Sequence, residues 1–103
     1  MTAIEDAKKH AQDLVGRYGL GNPALDLGGS VPEDRIRGYK KLLRLSRARD
    51  MQDRVTGTLG WDDLLLEELL EVFTSDTDAE RYSELIQLAG TSLVYAEAVK
   101  RRR

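Results

Sequence analysis

The stretch Trp61-Asp62-Asp63-Leu64-Leu65-Leu66-Glu67-Glu68-Leu69-Leu70-Glu71-Val72-Phe73-Thr74 decides how this chain is read. It is built mainly from Leu and Glu, both strong helix formers, and contains neither glycine nor proline, so it predicts a helix from Trp61 or Asp62 to Thr74. On a wheel of 100° per residue, Leu65, Leu66, Leu69, Leu70 and Phe73 share one arc, with Glu67, Glu68 and Glu71 almost opposite. This predicts a core stripe and an acidic face. Leu64 and Val72 fall on or near the acidic side, so both sides of the helix are expected to be covered, by another helix or by a second subunit.

Working outward, Thr77 and Glu80 have the spacing of a capping box and open a helix that continues to the basic tail Lys100 to Arg103. Its apolar arc is Leu85, Ile86, Ala89, Leu93 and Ala96, while Glu84, Gln87, Leu88, Thr91 and Tyr95 form a mixed stripe that reads as a pocket wall. Upstream, Ser30 and Glu33 repeat the capping-box spacing with Pro32 near the first helical position, and Ile36, Tyr39, Leu43, Ala48, Met51 and Val55 recur helically to the break at Thr56-Gly57. Thr2 and Glu5 cap a first helix, Ala3 to Tyr18, and the glycine-rich run from Gly19 to Val31 reads as a loop. Its Gly-x-Gly fragments lack the preceding strand and following Gly-Lys of a phosphate loop. No stretch alternates like a strand. The expectation is an all-α four-helix bundle whose core is completed by oligomerisation.

At 103 residues the chain has room for one domain, with an N-terminal helix and loop over 1–31 and a helical core over 32–103. It has no cysteine, which excludes disulfide frameworks, thiolate metal sites and cysteine nucleophiles. No apolar run reaches the roughly 20 residues of a membrane span, and acidic residues stand where a signal peptide is apolar. A cytoplasmic protein is expected.

The formal net charge of −2 hides a division. From Arg35 to Arg54 there are eight basic residues against two acidic ones, and from Asp62 to Glu84 nine acidic residues against Arg81 alone. Such blocks attract each other, or divide one ligand between them, with phosphates on the basic block and metal ions on the acidic one. Glu67 and Glu71 lie one turn apart, Glu68 beside them, and antiparallel pairing of the last two helices brings Glu84 near. Convergent carboxylates repel unless a hard dication such as Mg²⁺ or Mn²⁺ lies between them. His10, the only histidine, stands among polar residues and reads as surface.

Trp61-x5-Glu67-Glu68-x-x-Glu71, a 12-residue spacer, Glu84-Leu-Ile-Gln87 and then Tyr95-Ala-Glu-Ala-Val99 together resemble the MazG-like branch of the all-α nucleoside triphosphate pyrophosphohydrolases. The resemblance covers Trp61 to Val99. The family pattern ends in Glu-x-x-Asp, and Gln87 stands here where Asp is usual, removing one anionic ligand. The resemblance implies cleavage of a nucleoside triphosphate to a monophosphate and pyrophosphate, with Mg²⁺ or Mn²⁺ on Glu67, Glu68, Glu71 and Glu84. Glu68 and Glu71 are the expected catalytic groups. Lys40, Lys41 and Arg44 are expected near the phosphates, Trp61 and Tyr95 near the base, and Gln87 beside the substrate. A homodimer or homotetramer is expected, without a membrane. Gln87 motivates an alternative, a non-catalytic nucleotide-binding or helical interaction module on the same fold. The basic second helix motivates a nucleic-acid binder, which overall acidity and the lack of a helix-turn-helix spacing disfavour.

Overall fold

The computed structural model describes residues 2–18 and 31–102. Among them are four helices and no strand: α1 (Ala3–Tyr18), α2 (Glu33–Thr56), α3 (Trp61–Phe73) and α4 (Asp78–Arg101). The expected class and helix limits are met, and no described helix is long and apolar enough to cross a membrane. The expected glycine-rich loop and the Ser30 cap lie outside the described residues, apart from Val31. Pro32 is the residue before the first turn of α2 rather than within it, with φ −54° and ψ 135°.

The helix ends follow local chemistry. Thr2 Oγ1 accepts the Glu5 N–H at 3.1 Å while Glu5 Oε1 accepts the Thr2 N–H at 3.2 Å, a reciprocal box that holds the Glu5 carboxyl below its usual pKa. At α4 only half of the expected box forms. Thr77 Oγ1 accepts the Glu80 N–H at 3.1 Å, but the Glu80 carboxylate reaches past it to the Asp76 N–H. Gly57 ends α2 at φ 72°, in the left-handed region where glycine carries no Cβ penalty, and its N–H caps the Asp53 carbonyl. Asp63 accepts the Gly60 N–H at 3.1 Å at the start of α3.

The described residues fall into two compact units. One takes in α1 and α4 from Leu93 onward; the other runs from Val31 to Ser92. In the first, the Ala3 N–H at the open end of α1 donates to the Glu97 carboxylate of α4. In the second, α2 and α3 form an antiparallel hairpin. Tyr39 and Phe73 meet with ring centroids 5.1 Å apart, and Arg49 Nη2 reaches Asp62 at 3.2 Å at the other end. Leu43, Leu70 and Val72 are its buried apolar residues, each worth about 1.5–3 kcal/mol of transfer free energy.

The α3 wheel reading holds in part. Leu70 of the expected core arc is buried and Leu65 and Phe73 are half-buried, but Leu66 is 46% exposed; on the other side Val72 is buried and Leu64 half-buried, as expected of a helix covered on both sides, and Glu67, Glu68 and Glu71 are half-buried with them. On α4, Leu85 and Ile86 are exposed while Glu84, Leu88, Thr91 and Tyr95 are half-buried. Of the mixed stripe of α4 only Gln87 is exposed, and Thr91 meets the acidic side of α3 through its hydrogen bond to Glu68. His10 is exposed, as expected.

Candidate carboxylate site

Glu67, Glu68 and Glu71 are brought against the α2 and α4 residues of the same unit by the register of the hairpin and the α3–α4 turn. That turn is tied by Ser75 Oγ donating to the Glu71 carbonyl at 2.7 Å, by Thr74 Oγ1 donating to the Leu70 carbonyl at 2.8 Å, and by Arg81, whose Nη2 donates to the Ser75 carbonyl at 3.1 Å. Arg81 also pairs with Asp78.

Each carboxylate has a definite neighbour. Thr91 Oγ1 donates to Glu68 Oε1 at 2.8 Å, which leaves Glu68 Oε2 buried without a hydrogen-bond partner. The Glu84 carboxyl stands against that of Glu71, and this contact first, then burial and the charges of Glu71 and Glu68, raises the Glu84 pKa. Glu84 Oε2 is likewise buried and unpartnered. Burial above all, then the hydrogen bond and charge of Asp50 and the charge of Glu71, pushes Glu67 up to about 7. Arg47 opposes this from α2, its Nε 3.4 Å from Glu67 Oε1 and its Nη2 3.5 Å from Glu71 Oε1.

Arg47 and Asp50 are the site residues that sequence reasoning did not single out. Arg47 was one base among eight in its block, and Asp50 is a buried acid in a basic helix, paired at 3.0 Å with Arg54 one turn on. The available signal was an acid within a block of bases, which Asp50 shares with Asp53.

Other expected residues are not gathered here. Lys40, Lys41 and Arg44 are exposed on α2 and form no ion pair among the described residues; the cation among the carboxylates is Arg47. Gln87 is exposed, and its side chain makes no hydrogen bond among the described residues, although it lies one turn from both Glu84 and Thr91 on α4. Trp61 is half-buried as the first residue of α3, and Tyr95 is half-buried in the other unit.

Beside the carboxylates lies a cavity of about 390 Å³ lined by Leu43, Arg47, Glu71, Thr74, Ser75, Glu80 and Glu84, within the ~300–1,000 Å³ of small-molecule sites. Its lining holds the Arg47 guanidinium as donor and the carboxylates of three glutamates as acceptors, the Thr74 and Ser75 hydroxyls already donating to α3 carbonyls. Among the described residues no three acidic or imidazole groups stand close enough together to hold a metal ion as they are placed; the acids meet in pairs. The donor set nonetheless fits a hard dication. It is all oxygen, two of its oxygens are buried and unsatisfied, and the Glu71–Glu84 contact needs either a proton or a cation to offset repulsion. Compared with family models, curated proteins and solved structures, the chain matches none of them.

Proposed function

We propose that this chain is a metal-dependent nucleoside triphosphate pyrophosphohydrolase, of the MazG-like kind that its sequence resembles, releasing a nucleoside monophosphate and pyrophosphate. The observation that carries the reading is the inward-facing set Glu68, Glu71 and Glu84, with Glu68 Oε2 and Glu84 Oε2 buried and unpartnered. Buried carboxylate oxygens without donors cost free energy, and a site that binds cations explains why they are kept.

Bound there, Mg²⁺ or Mn²⁺ would supply charge neutralisation for the phosphates and a more acidic water. Glu71 and Glu84, together with Glu67, would hold it. Glu68 is fixed through Oε1 by the Thr91 hydroxyl, so its free Oε2 is placed to take a proton from the attacking water. Water oxygen bonds to the α phosphorus, the bond from that phosphorus to the bridging oxygen breaks, and pyrophosphate leaves with the electron pair. Arg47, 55% exposed at its side chain, can turn from the glutamates to the departing phosphates.

Hydrolysis in ¹⁸O-water tests this chemistry. The label is expected in the monophosphate; label in the pyrophosphate would mean attack at the β phosphorus and would reject it.

A second reading, a non-catalytic nucleotide-binding or helical interaction module on the same fold, is favoured by the Arg47 ion pairs, which already neutralise Glu67 and Glu71, and by the exposure of Gln87. Nucleotide binding without turnover at any metal concentration would select it.

A further inference from the structure

Asp50 is a buried acid that the proposed chemistry leaves without a role. Among the described residues only Asp50, 5% exposed, and Asp63 are buried acids. The burial of Asp63 has a local cause, since it accepts the Gly60 N–H at the start of α3 and meets Arg49. Asp50 lies well inside α2 and caps nothing. Its ion pair with Arg54, at 3.0 Å, does not explain why it is kept: the Arg54 side chain is 58% exposed, and a pair so open to water offsets little of the cost of burying a carboxylate.

What Asp50 faces is the carboxylate site. On α2, Arg47 lies one turn before it and Arg54 one turn after. From α3, Glu67 stands against it, and Asp50 is, after burial, a cause of the raised Glu67 pKa. Glu71 and Glu84 make a second pair of acids in contact. The two pairs are linked through α3, where Glu67 and Glu71 lie one turn apart, and Arg47 reaches both, at 3.4 and 3.5 Å. The Arg47 guanidinium thus marks a position where positive charge is held between the pairs, one of which Asp50 completes. Four carboxylates face two guanidiniums, each more than half exposed, and Glu68 adds to the negative side. With all of them ionised, an excess of at least two negative charges remains, which a divalent cation offsets.

We propose that Asp50 is a ligand of the divalent cation, joining Glu67 from α2 as Glu84 joins Glu71 from α4. This rests on the cation-dependent reading of the glutamates. Its carboxylate is a hard oxygen donor of the kind Mg²⁺ and Mn²⁺ take. It brings from α2 the further negative charge that α4 does not supply at the exposed, neutral Gln87. Arg54, mostly in water, releases it at little cost.

Binding of Mn²⁺ to the full chain without nucleotide tests the assignment. Electron paramagnetic resonance measures the free ion, and water-proton relaxation reports the waters left on the bound one. Asp50→Asn keeps the volume and an oxygen for Arg54, and circular dichroism verifies its fold. It is expected to weaken binding by about tenfold or more and to add water to the bound ion. Asp34→Asn, which removes an equal charge from an exposed position on the same helix, is expected to leave binding unchanged. Arg54→Ala frees Asp50 from its exposed partner and is expected to tighten binding severalfold, which keeps the assignment testable if Asp50→Asn does not fold. Wild-type affinity in Asp50→Asn, weaker binding there without a change in hydration, an equal loss in Asp34→Asn, or unchanged affinity in Arg54→Ala would each overturn the role of Asp50 and leave the glutamates as ligands. A wild type that binds no Mn²⁺ would overturn the cation site as a whole.

Discussion

The Glu84 carboxyl of α4 and the Glu71 carboxyl of α3 stand against each other on the wall of one cavity, and this contact above all raises the Glu84 pKa. Folding therefore takes up a proton that the unfolded chain lacks between the ordinary carboxylate range and the raised value, so this pair loses its stabilising effect as pH rises. A dication can take the proton's place. Added Mg²⁺ is expected to raise the melting temperature more at pH 8 than at pH 5.5, by about 1.4 kcal/mol at ten times its Kd, which is several degrees in a domain this small. Thermal melts at the two pH values check this; equal shifts would remove the pair from the cation site.

Glu67 makes a separate pH prediction. Its folded pKa of about 7 lies above the ordinary 4.5, chiefly through burial and then through Asp50. Its favourable contribution is complete below about 4.5 and is lost as pH rises through 7. Glu67→Gln keeps the shape without the charge, so its melting temperature is expected to fall less than the wild type's between pH 5 and pH 8. At pH 8 the variant is expected to be the more stable by about 1 kcal/mol, net of a lost exposed pair with Arg47. A parallel pH profile would contradict the raised pKa.

Glu68→Gln and Glu71→Gln are expected to reduce metal-dependent turnover by at least ~100-fold, the usual worth of a general base or of a lost anionic ligand. Helix content should be unchanged, and melting temperatures unchanged or higher, because carboxylate repulsion is relieved. Steady-state rates and circular dichroism on the same preparations check both halves. Wild-type turnover in both variants would reject the site.

Arg47 competes with a dication for Glu67 and Glu71. Arg47→Ala is expected to cost about 0.5–1 kcal/mol without metal, as a partly exposed pair does, and to increase the stabilisation that saturating Mg²⁺ gives. Calorimetric melts with and without the ion measure the difference. An unchanged Mg²⁺ increment would show that Arg47 and the ion use different oxygens.

Helix positions were legible in the sequence because they rest on local signals: the Thr2/Glu5 box, the Gly57 stop, the Leu and Glu content of α3. Which faces of α3 and α4 turn inward was legible only in part. Hydrophobic periodicity assigns the leucine arc to the core, and Leu70 is buried there, yet Leu66, Leu85 and Ile86 are exposed while Glu67, Glu68, Glu71 and Glu84 are half-buried. A carboxylate enters an interior only when partners from other helices meet it, and those partners, Arg47, Asp50 and Thr91, are 17 to 24 residues away along the chain. Spacing on one helix identified the glutamates as a group. It could not select Arg47 from its basic neighbours, because that choice depends on the hairpin register, which fixes residues 47 and 67 opposite each other.

The central claim is tested most directly by pyrophosphate release from a panel of ribo- and deoxyribonucleoside triphosphates with Mg²⁺ or Mn²⁺, with Glu68→Gln as the control. The account predicts stoichiometric pyrophosphate and monophosphate from at least one member of the panel, dependent on the dication and lost in Glu68→Gln. No pyrophosphate from any nucleotide, or a diphosphate with inorganic phosphate in its place, would contradict it.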